Sequence, residues 1–389
     1  MPNWLLPEYV EDILPAEALH IEAIRRRIID VLYVHGYQLV NPPLLEFEES
    51  LLTGSGSDMD LHMFKVVDQL SGRSMGLRAD MTPQVARIDA HLLNRDGVTR
   101  LCYANSVLHT MPSALTCTRE PFQVGAELYG HVGLESDIEI QQLMLQCLSI
   151  AGINKIHLDL GHVAVFRGLI CNDNVSAELE SELFSVLQAK DVARLNALCN
   201  KYSKNLSERT RQALILLPEL YGDRTVLTNA RKLLPDYPAI TNALDALEAI
   251  EKELSSVVDS IAFDLADLRG YHYHSGMVFA AYAKGSSNAI ALGGRYDDIG
   301  KAFGRARPAT GFSMDLRDLS RLVQPASYPK GIVAPHDTND ESLQDKIKQL
   351  RAAGQVVIVE LPGWSAEANS FSCDRQLIHE NEGWVVVEI

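Results

Sequence analysis

Hydrophobic and polar residues follow two different patterns along this chain. Apolar residues recur with a helical period in residues 17–35 and 137–151, and Gly36 predicts the C-terminal end of the first helix. Alternating or short apolar runs predict β-strands, and they cover residues 37–45, 64–68, 74–78, 155–161, 261–267, 268–283, 289–299 and 308–316. Pro42 and Pro43 interrupt the first of these strands and exclude it from the middle of a sheet. The pattern therefore predicts a mixed α+β protein.

The strand pattern stops in the middle of the chain and changes again near its end. Residues 172–258 carry successive helical patterns separated by proline breaks, which predicts a helical insertion whose charges lie at the surface. Residues 325–389 carry one helical pattern, 341–353, between strand-like runs, which predicts a small C-terminal α/β module. The remaining residues, 1–171 and 259–324, would then form one discontinuous core domain.

The stretch from Tyr103 to Gly130 has the most informative pattern. It predicts a strand, a turn-prone loop and a second strand, in which Gln123, Gly125 and Glu127 occupy alternate positions. Alternate positions face the same side of a sheet. An amide, a glycine and a carboxylate on one face suit a small polar pocket better than a core. The pattern leaves open whether that pocket performs chemistry or only holds a ligand.

A second candidate lies in residues 77–88. Thr82 is a plausible N-cap and Pro83 a plausible first helical residue, so Asp80 is expected at the N-terminal end of a helix. Asp80 then has two equally open interpretations. It is either a capping carboxylate or a carboxylate that receives the ammonium group of a ligand.

Charge and cysteine content narrow the class of protein. The chain has 389 residues with 35 Lys and Arg against 51 Asp and Glu, a net charge of −16, and such acidity disfavours nucleic-acid binding. Its six cysteines show no CxxC pairing, so we expect free thiols in a reducing compartment. The first 15 residues do not resemble a signal peptide, and no apolar run is long enough for a membrane helix. We expect a cytoplasmic protein without membrane contact.

His272 and His274 stand two residues apart and are considered as metal ligands. They lack acidic or cysteine partners at ligand spacing, and a metal site usually needs three or four such groups. We therefore expect neither a metal nor another cofactor.

Residues 8–325 together resemble histidyl-tRNA synthetase and its class II relatives. Four separated motifs carry this resemblance in the family's order, and a further string, GGRYD, is the family's own. The four motifs are the 36–46 strand with Pro43 (motif 1), LRADMT at 77–82, Tyr103 to Gly130 (motif 2) and LRGYHY at 268–273, and the string GGRYD lies at 293–297. The resemblance implies a class II synthetase-like antiparallel sheet flanked by helices. It also implies a homodimer formed through motif 1.

The resemblance implies that the nucleotide half of the site is degenerate. His109 and Met111 stand where the family has an arginine and an acidic residue near the end of the first motif 2 strand. Asp318 stands where an arginine clamps the γ-phosphate, so a carboxylate replaces a guanidinium where phosphate would bind. Such a replacement turns attraction into repulsion.

The amino-acid half is retained. The positions that match the family's histidine pocket are Asp80, Thr82, Gln123, Glu127, Arg269, His274 and Tyr296. By resemblance, Gln123 and Glu127 hold the ligand's ammonium and imidazole groups, and Arg269 receives its carboxylate. Two positions depart from the family, since His274 replaces a tyrosine that touches the ring and His272 replaces an aspartate.

These departures predict a synthetase-like protein without its own chemistry. The chain resembles the regulatory subunits of ATP phosphoribosyltransferase, which implies a short-form catalytic subunit as partner, a homodimer within a hetero-oligomer and L-histidine as effector. The C-terminal module is too short for the family's anticodon-binding domain, so we expect no tRNA. Two alternatives are an active histidyl-tRNA synthetase and a free-standing histidine sensor.

Overall fold

The structure, a computed structural model, describes residues 4–53, 57–112, 114, 117–271, 273–325, 329–363, 372–380 and 383–389. The chain divides into two compact units, Met1–Gln324 and Pro325–Ile389. In the described residues, no helix is both long enough and apolar enough to cross a bilayer.

Twelve α-helices belong to the first unit as far as it is described. They are α1 Pro15–Val34, α2 Glu48–Leu52, α3 Ser57–His62, α4 Thr82–Arg87, α5 Leu134–Ala151, α6 Ala164–Asn172, α7 Ala177–Gln188, α8 Val192–Lys201, α9 Glu208–Leu216, α10 Thr225–Leu233, α11 Pro238–Leu254 and α12 Leu316–Leu322. A π-helical turn, Ile88–Leu93, continues α4, and short 3₁₀ turns occupy Leu217–Glu219 and Ile299–Phe303.

The strands of this unit form two sheets. They are β1 Gln38–Leu39, β2 Leu45–Phe47, β3 Phe64–Val67, β4 Ser74–Leu77, β5 Thr99–Ser106, β6 Phe122–Tyr129, β7 Ile156–His162, β8 Tyr221–Gly222, β9 Ser260–Asp264, β10 Met277–Ala283, β11 Ala291–Arg295 and β12 Ala309–Asp315. The large sheet has nine strands in the order β1-β5-β6-β12-β11-β10-β7-β9-β8, and the small one has the order β2-β4-β3.

Neighbouring strands of the large sheet are antiparallel except in two pairs. Strand β1 pairs with β5 in parallel, and β7 pairs with β9 in parallel. The β3–β4 hairpin also forms in the predicted place, with Phe64 opposite Leu77. The predicted α+β class with an antiparallel sheet and flanking helices is confirmed.

One face of the large sheet is covered by the two longest helices of the core. Strand β6 directs Val124, Ala126 and Leu128 into a large apolar cluster that includes α1 and α5 residues such as Ile28 and Met144. Since side chains alternate along a strand, the opposite face carries the intervening residues of β6. Gln123, Gly125 and Glu127 therefore share the face away from these helices, as predicted.

The strand register lines up small residues on that open face. Glu127 is opposite Gly311 of β12, which is opposite Gly294 of β11. One row further along, Gly125 is opposite Ser313. A methyl group added at Gly311 would overlap the Glu127 carboxylate. Glycine is needed there because the carboxylate lies directly against the neighbouring strand.

Two predicted strands differ in extent from the structure. The strand predicted over residues 37–45 is interrupted at Pro42 and Pro43, as predicted, because these residues lack the N–H groups that a continuous ladder requires. The chain divides there into β1 of the large sheet and β2 of the small one. The predicted strand 268–283 is ordered as a strand only from Met277, and turns precede it, with His274 N bonded to Gly270 O at 2.7 Å.

The middle of the chain is mainly helical, as its pattern indicates, with helices α7 to α11 in residues 172–258. Strand β8 was not predicted there, and it joins the edge of the large sheet beside β9. Buried leucines of these helices belong to the same apolar cluster as the sheet. The division into a 1–171 and 259–324 core and a 172–258 insertion stays a prediction.

The second unit is a four-stranded sheet with one helix. Its elements are β13 Gly331–Ala334, α13 Glu341–Ala352, β14 Val357–Val359, β15 Cys373–Glu380 and β16 Gly383–Glu388. The strand order is β14-β13-β15-β16, and β13 is parallel to β14, so β13, α13 and β14 form a βαβ unit. Strand β15 was missed because its residues, CDRQLIHE, show little apolar alternation.

A buried ion pair ties the π-helical turn to the segment before β12. Arg307 Nη1 lies 2.8 Å from Asp89 Oδ1, and the two side chains are only 7% and 2% exposed. Asp89→Ala would leave this guanidinium buried without its carboxylate, a change that typically costs about 3–5 kcal/mol. We expect a loss of that order in the free energy of unfolding, measured in urea.

Asp96→Ala is the matched control, since Asp96 is fully exposed and pairs with Arg305 at 2.9 Å. Exposed pairs contribute about 0–1 kcal/mol. Equal losses in the two variants would contradict a special role for the buried pair.

Candidate functional site

A cavity of about 270 Å³ opens over the glycine-rich rows of the large sheet. Its polar lining includes five residues predicted for the histidine pocket, namely Asp80, Thr82, Glu127, His274 and Tyr296. Its apolar walls include Phe184, Tyr271, Leu292 and Phe312. A cavity of this size with a few polar groups suits a ligand of amino-acid dimensions.

Glu127 lies at the centre of the polar lining and is 1% exposed. Thr82 Oγ1 and Tyr103 OH each donate a hydrogen bond to its Oε1 at 3.0 Å, and Tyr296 OH donates to Oε2. Burial, together with the nearby Asp80 charge, raises the pKa of Glu127 to about 8 against the lowering effect of the hydroxyls. The same burial raises the pKa of Tyr103 and Tyr296 well above its usual range, so both hydroxyls remain donors.

Asp80 accepts hydrogen bonds at the beginning of α4 and faces the first cavity. Its Oδ1 accepts a hydrogen bond from Thr82 N at 3.1 Å, at the beginning of α4, and from Gln123 Nε2 at 2.8 Å. Asp80 also lines the cavity. The predicted N-cap at Thr82 is wrong, because Met81 precedes the helix and Thr82 is its first residue. Thr82 is thereby free to direct its hydroxyl at Glu127.

His274 is held as a neutral ring. Its Nδ1 lies 3.3 Å from the carbonyl oxygen of Arg295, and burial lowers the pKa of His274 to about 4. A neutral ring that donates from Nδ1 keeps Nε2 as an acceptor. The Arg295 backbone is itself fixed, because its guanidinium pairs with buried Asp137 at 3.0 Å.

Two predicted pocket residues are placed elsewhere. Arg269 is not among the residues that line the first cavity, since Asp267 holds its guanidinium in an ion pair of 2.6 Å and Tyr282 OH lies 3.1 Å from its Nη1. Gln123 lines a second cavity, although its hydrogen bond to Asp80 connects the two. The described lining of the first cavity therefore contains carboxylates but no lysine or arginine.

The second cavity, of about 240 Å³, brings together two of the predicted nucleotide-site residues, His109 and Asp318. His109 and Met111 were predicted on a strand, but β5 ends at Ser106 and both follow it in a loop. Met111 is 66% exposed and lines neither of these two cavities, because its loop turns outward.

The second cavity is acidic. Asp315, which was not predicted, joins Asp318 in its lining. Burial and the Asp318 charge raise the pKa of Asp315 to about 7, and burial raises the pKa of Asp318. Burial lowers the pKa of His109, whose Nε2 contacts the carbonyl oxygen of Ala79 at 2.9 Å. A cavity with two carboxylates and a neutral imidazole offers no cation to a phosphate group.

Sequence reasoning missed other contributors to the first cavity. Tyr103 reaches Glu127 across Gly125, its partner in the strand register, and a side chain at Gly125 would collide with the Tyr103 hydroxyl. The sequence feature that could have predicted this contact is an aromatic residue paired with a glycine across two neighbouring strands. Phe184 and Gln188 come from α7 in the helical segment, and nothing in their local pattern indicates a site.

His272 of the candidate metal pair lies outside the described residues. Within the described residues, no cluster of three or more histidine, cysteine, aspartate or glutamate side chains could hold a metal ion.

Comparison with known proteins defines the class of the core. The family described as histidyl-tRNA synthetase matches residues 9–319. A histidyl-tRNA synthetase structure from Nostoc has the same fold, with a TM-score of 0.78 and 19% identity over 100% of this chain and 97% of that chain. The core is therefore a class II synthetase-like fold of the histidyl-tRNA synthetase type.

The comparisons also define the family within that class. The ATP phosphoribosyltransferase subunit HisZ C-terminal domain matches residues 329–387. A protein of Nitrosospira multiformis, named ATP phosphoribosyltransferase regulatory subunit, is 66% identical over 388 residues, 100% of this chain and 99% of that protein. The protein of that name in Nitrosomonas eutropha is 62% identical over 389 residues, 100% of each chain.

A solved structure from Bacillus halodurans, described as an ATP phosphoribosyltransferase regulatory subunit/histidyl-tRNA synthetase, has a TM-score of 0.81 and 25% identity over 94% of this chain and 95% of that chain. The chain belongs to the family of ATP phosphoribosyltransferase regulatory subunits.

The raised pKa of Glu127 predicts how stability depends on pH. The folded protein binds this proton more tightly than the unfolded chain, whose glutamate has a pKa near 4.5. The stabilising contribution is complete below pH 4.5 and is lost as the pH rises to about 8. The Glu127→Gln side chain stays neutral and does not lose this contribution. The free energy of unfolding of Glu127→Gln should therefore exceed that of the unsubstituted protein increasingly across this range, by on the order of 2–4 kcal/mol at pH 8. Urea unfolding at several pH values measures this difference.

The matched control is Glu182→Gln on α7, because Glu182 is exposed. The stability gain of Glu127→Gln should rise with pH more steeply than any change in this control. An equal pH dependence in the two variants would contradict the raised pKa of Glu127.

Proposed function

We propose that this chain is a non-catalytic regulatory subunit of ATP phosphoribosyltransferase in histidine biosynthesis. The observation that carries the proposal is the full-length identity of 66% to a protein of that name. The match of residues 329–387 to the HisZ C-terminal domain supports it independently of the synthetase-like core.

The acidic second cavity supports the absence of synthetase chemistry. Amino-acid activation requires a site that holds ATP and stabilises negative charge on phosphate. Asp315 and Asp318 instead bring carboxylates to that cavity, and His109 is fixed to a backbone carbonyl. We propose that the ancestral nucleotide site is degenerate and binds no nucleotide.

The proposed partner is a short-form catalytic subunit of ATP phosphoribosyltransferase. The chain would form a homodimer through its motif 1 region and enter a hetero-oligomer with that subunit in the cytoplasm. Cys102, Cys117, Cys147, Cys171 and Cys199 lie in the described residues as free thiols, which agrees with a reducing compartment.

We propose L-histidine as the ligand of the first cavity. Asp80 is suited to an ammonium group, and Glu127 and His274 are suited to hydrogen bonds with an imidazole ring. Arg269 stays a prediction as the receptor of the ligand carboxylate, and its pairing with Asp267 argues against that role. Histidine would regulate the complex by binding its less active state more tightly, and the coupling is then reciprocal between the two subunits.

The proposal is tested by reconstitution with the short-form catalytic subunit. We expect that adding this chain raises the turnover of ATP phosphoribosyltransferase and makes it sensitive to histidine. Co-purification of the two chains provides the physical evidence of a complex. No change in turnover and no co-purification would favour a free-standing histidine sensor.

The histidine site is tested by isothermal titration calorimetry. Glu127→Ala removes a charged hydrogen-bond partner worth about 1.5–3 kcal/mol, so we expect roughly 10- to 100-fold weaker histidine binding. Asp318→Ala is the control, because Asp318 lines the other cavity. Histidine binding that survives Glu127→Ala unchanged would place the site elsewhere.

The alternative of an active histidyl-tRNA synthetase is tested directly. We expect no histidine-dependent exchange of pyrophosphate into ATP, because neither Asp315 nor Asp318 can bind a phosphate group as an arginine does. Exchange above the background of a protein-free control would refute the regulatory assignment of this site.

A further inference from the structure

Helix α7 brings the helical segment 172–258 to the first cavity. Of the described residues that line this cavity, Phe184 and Gln188 alone come from that segment. The others belong to α4 and the residue pair before it, to the strands of the large sheet, and to the turns beside those strands. One wall of the cavity is therefore supplied by a part of the chain in which the sequence pattern indicates only surface helices.

One side of α7 is directed toward the cavity over three turns. Glu180, Phe184 and Gln188 are spaced four residues apart, so they lie along the same side of the helix. The adjacent Leu183 and Leu187 are fully buried in the large apolar cluster of the core. The helix is thus anchored in the core, and the position of its cavity-facing side is fixed by that packing.

Tyr271 joins this side of α7 to the turn before β10. Its hydroxyl donates a hydrogen bond to Glu180 Oε1 at 2.5 Å, and its ring stacks on Phe184 with the ring centroids 5.2 Å apart. Burial and the Glu180 carboxylate raise the pKa of Tyr271, so the hydroxyl remains a donor. Arg167 Nη2 donates to the backbone carbonyl of Tyr271 at 3.0 Å. Both the side chain and the backbone of Tyr271 are therefore held by helices.

The same turn carries His274 into the cavity. The backbone N–H groups of Tyr273 and His274 both donate to the carbonyl oxygen of Gly270, at 2.8 and 2.7 Å. Gly270 has a φ of 62°, and a side chain there would collide with the His274 ring. In a turn wound this tightly, a displacement of Tyr271 would also displace His274. The contact between Glu180 and Tyr271 thereby reaches the polar lining.

We propose that α7 completes the histidine site, with Phe184 and Gln188 as ligand contacts and Glu180 as a positioning residue that acts through Tyr271. The inference rests on the proposed histidine site and gives the helical segment a direct part in binding. Phe184 keeps water from that side of the cavity, and polar contacts are stronger where water is excluded. Gln188 lies exposed at the rim, where its amide can donate or accept a hydrogen bond.

Titration calorimetry of the full-length chain with L-histidine tests the two ligand contacts. Phe184→Ala removes an apolar contact and admits water, so we expect roughly 10-fold weaker binding. Gln188→Ala removes one neutral hydrogen bond and should weaken binding roughly 2- to 5-fold. Because Gln188 is exposed, its removal should leave the fold intact. Unchanged affinity in both variants overturns the contact role of α7.

Glu180→Ala and Glu182→Ala form a matched pair on the same helix. Glu180 holds Tyr271, whereas Glu182 is exposed. We expect roughly 3- to 10-fold weaker histidine binding for Glu180→Ala and no change for Glu182→Ala. Glu180→Gln keeps an oxygen acceptor for the Tyr271 hydroxyl and should restore the affinity to within about twofold. Equal affinities of the two alanine variants overturn the positioning role.

Hydrogen exchange of the unsubstituted protein separates this inference from the site on which it rests. Histidine should slow amide exchange in α7 more than in α10, which contributes no residue to the described lining. Heat of histidine binding without preferential protection of α7 overturns the inference alone. The absence of any heat of binding overturns the proposed histidine site, and the inference falls with it. Heat of binding together with protection of α7 supports both.

Discussion

The burial of one carboxyl group, that of Glu127, organises the site of this protein. Three hydroxyl groups, from Thr82, Tyr103 and Tyr296, converge on it from three separate segments of the chain. Their convergence requires that β6 and β12 lie close together without a side chain between them, which Gly311 provides. The environment of this single acidic group therefore constrains the positions of three parts of the chain. They are the paired strands of the sheet, helix α4 and the residues after β11.

The two cavities on the open face of the sheet share a wall but differ in chemistry. Gln123 belongs to that wall, since it donates to Asp80 on the first cavity's side and lines the second cavity itself. The first cavity keeps hydroxyls, a neutral imidazole and two carboxylates, which suit an amine. The second has acidic groups where a phosphate would need cations. One face of the fold thus carries two neighbouring cavities, the first lined by hydroxyls and carboxylates and the second by carboxylates and a histidine.

Local sequence predicted much of the fold because most of its elements are amphipathic in isolation. The helices α1 and α5 and the β5–β6 pair follow from their own apolar periods, and the regulatory family follows from motifs that survive in order. Short or interrupted elements were less predictable. Strand β1 has two residues and β8 has two, and such segments become strands only because a longer neighbour offers a hydrogen-bonding edge.

The sequence by itself determined the α+β class, the helical middle segment and the face that carries Gln123 and Glu127. The tertiary structure decided which of these residues meet. It placed Arg269 against Asp267, brought Tyr103 to Glu127, added Phe184 to the pocket and added Asp315 to the acidic cavity. Most of these contacts join residues that are distant in the chain. Tertiary packing also decides which carboxylate lies nearest to a given arginine, and local sequence pattern does not contain that information.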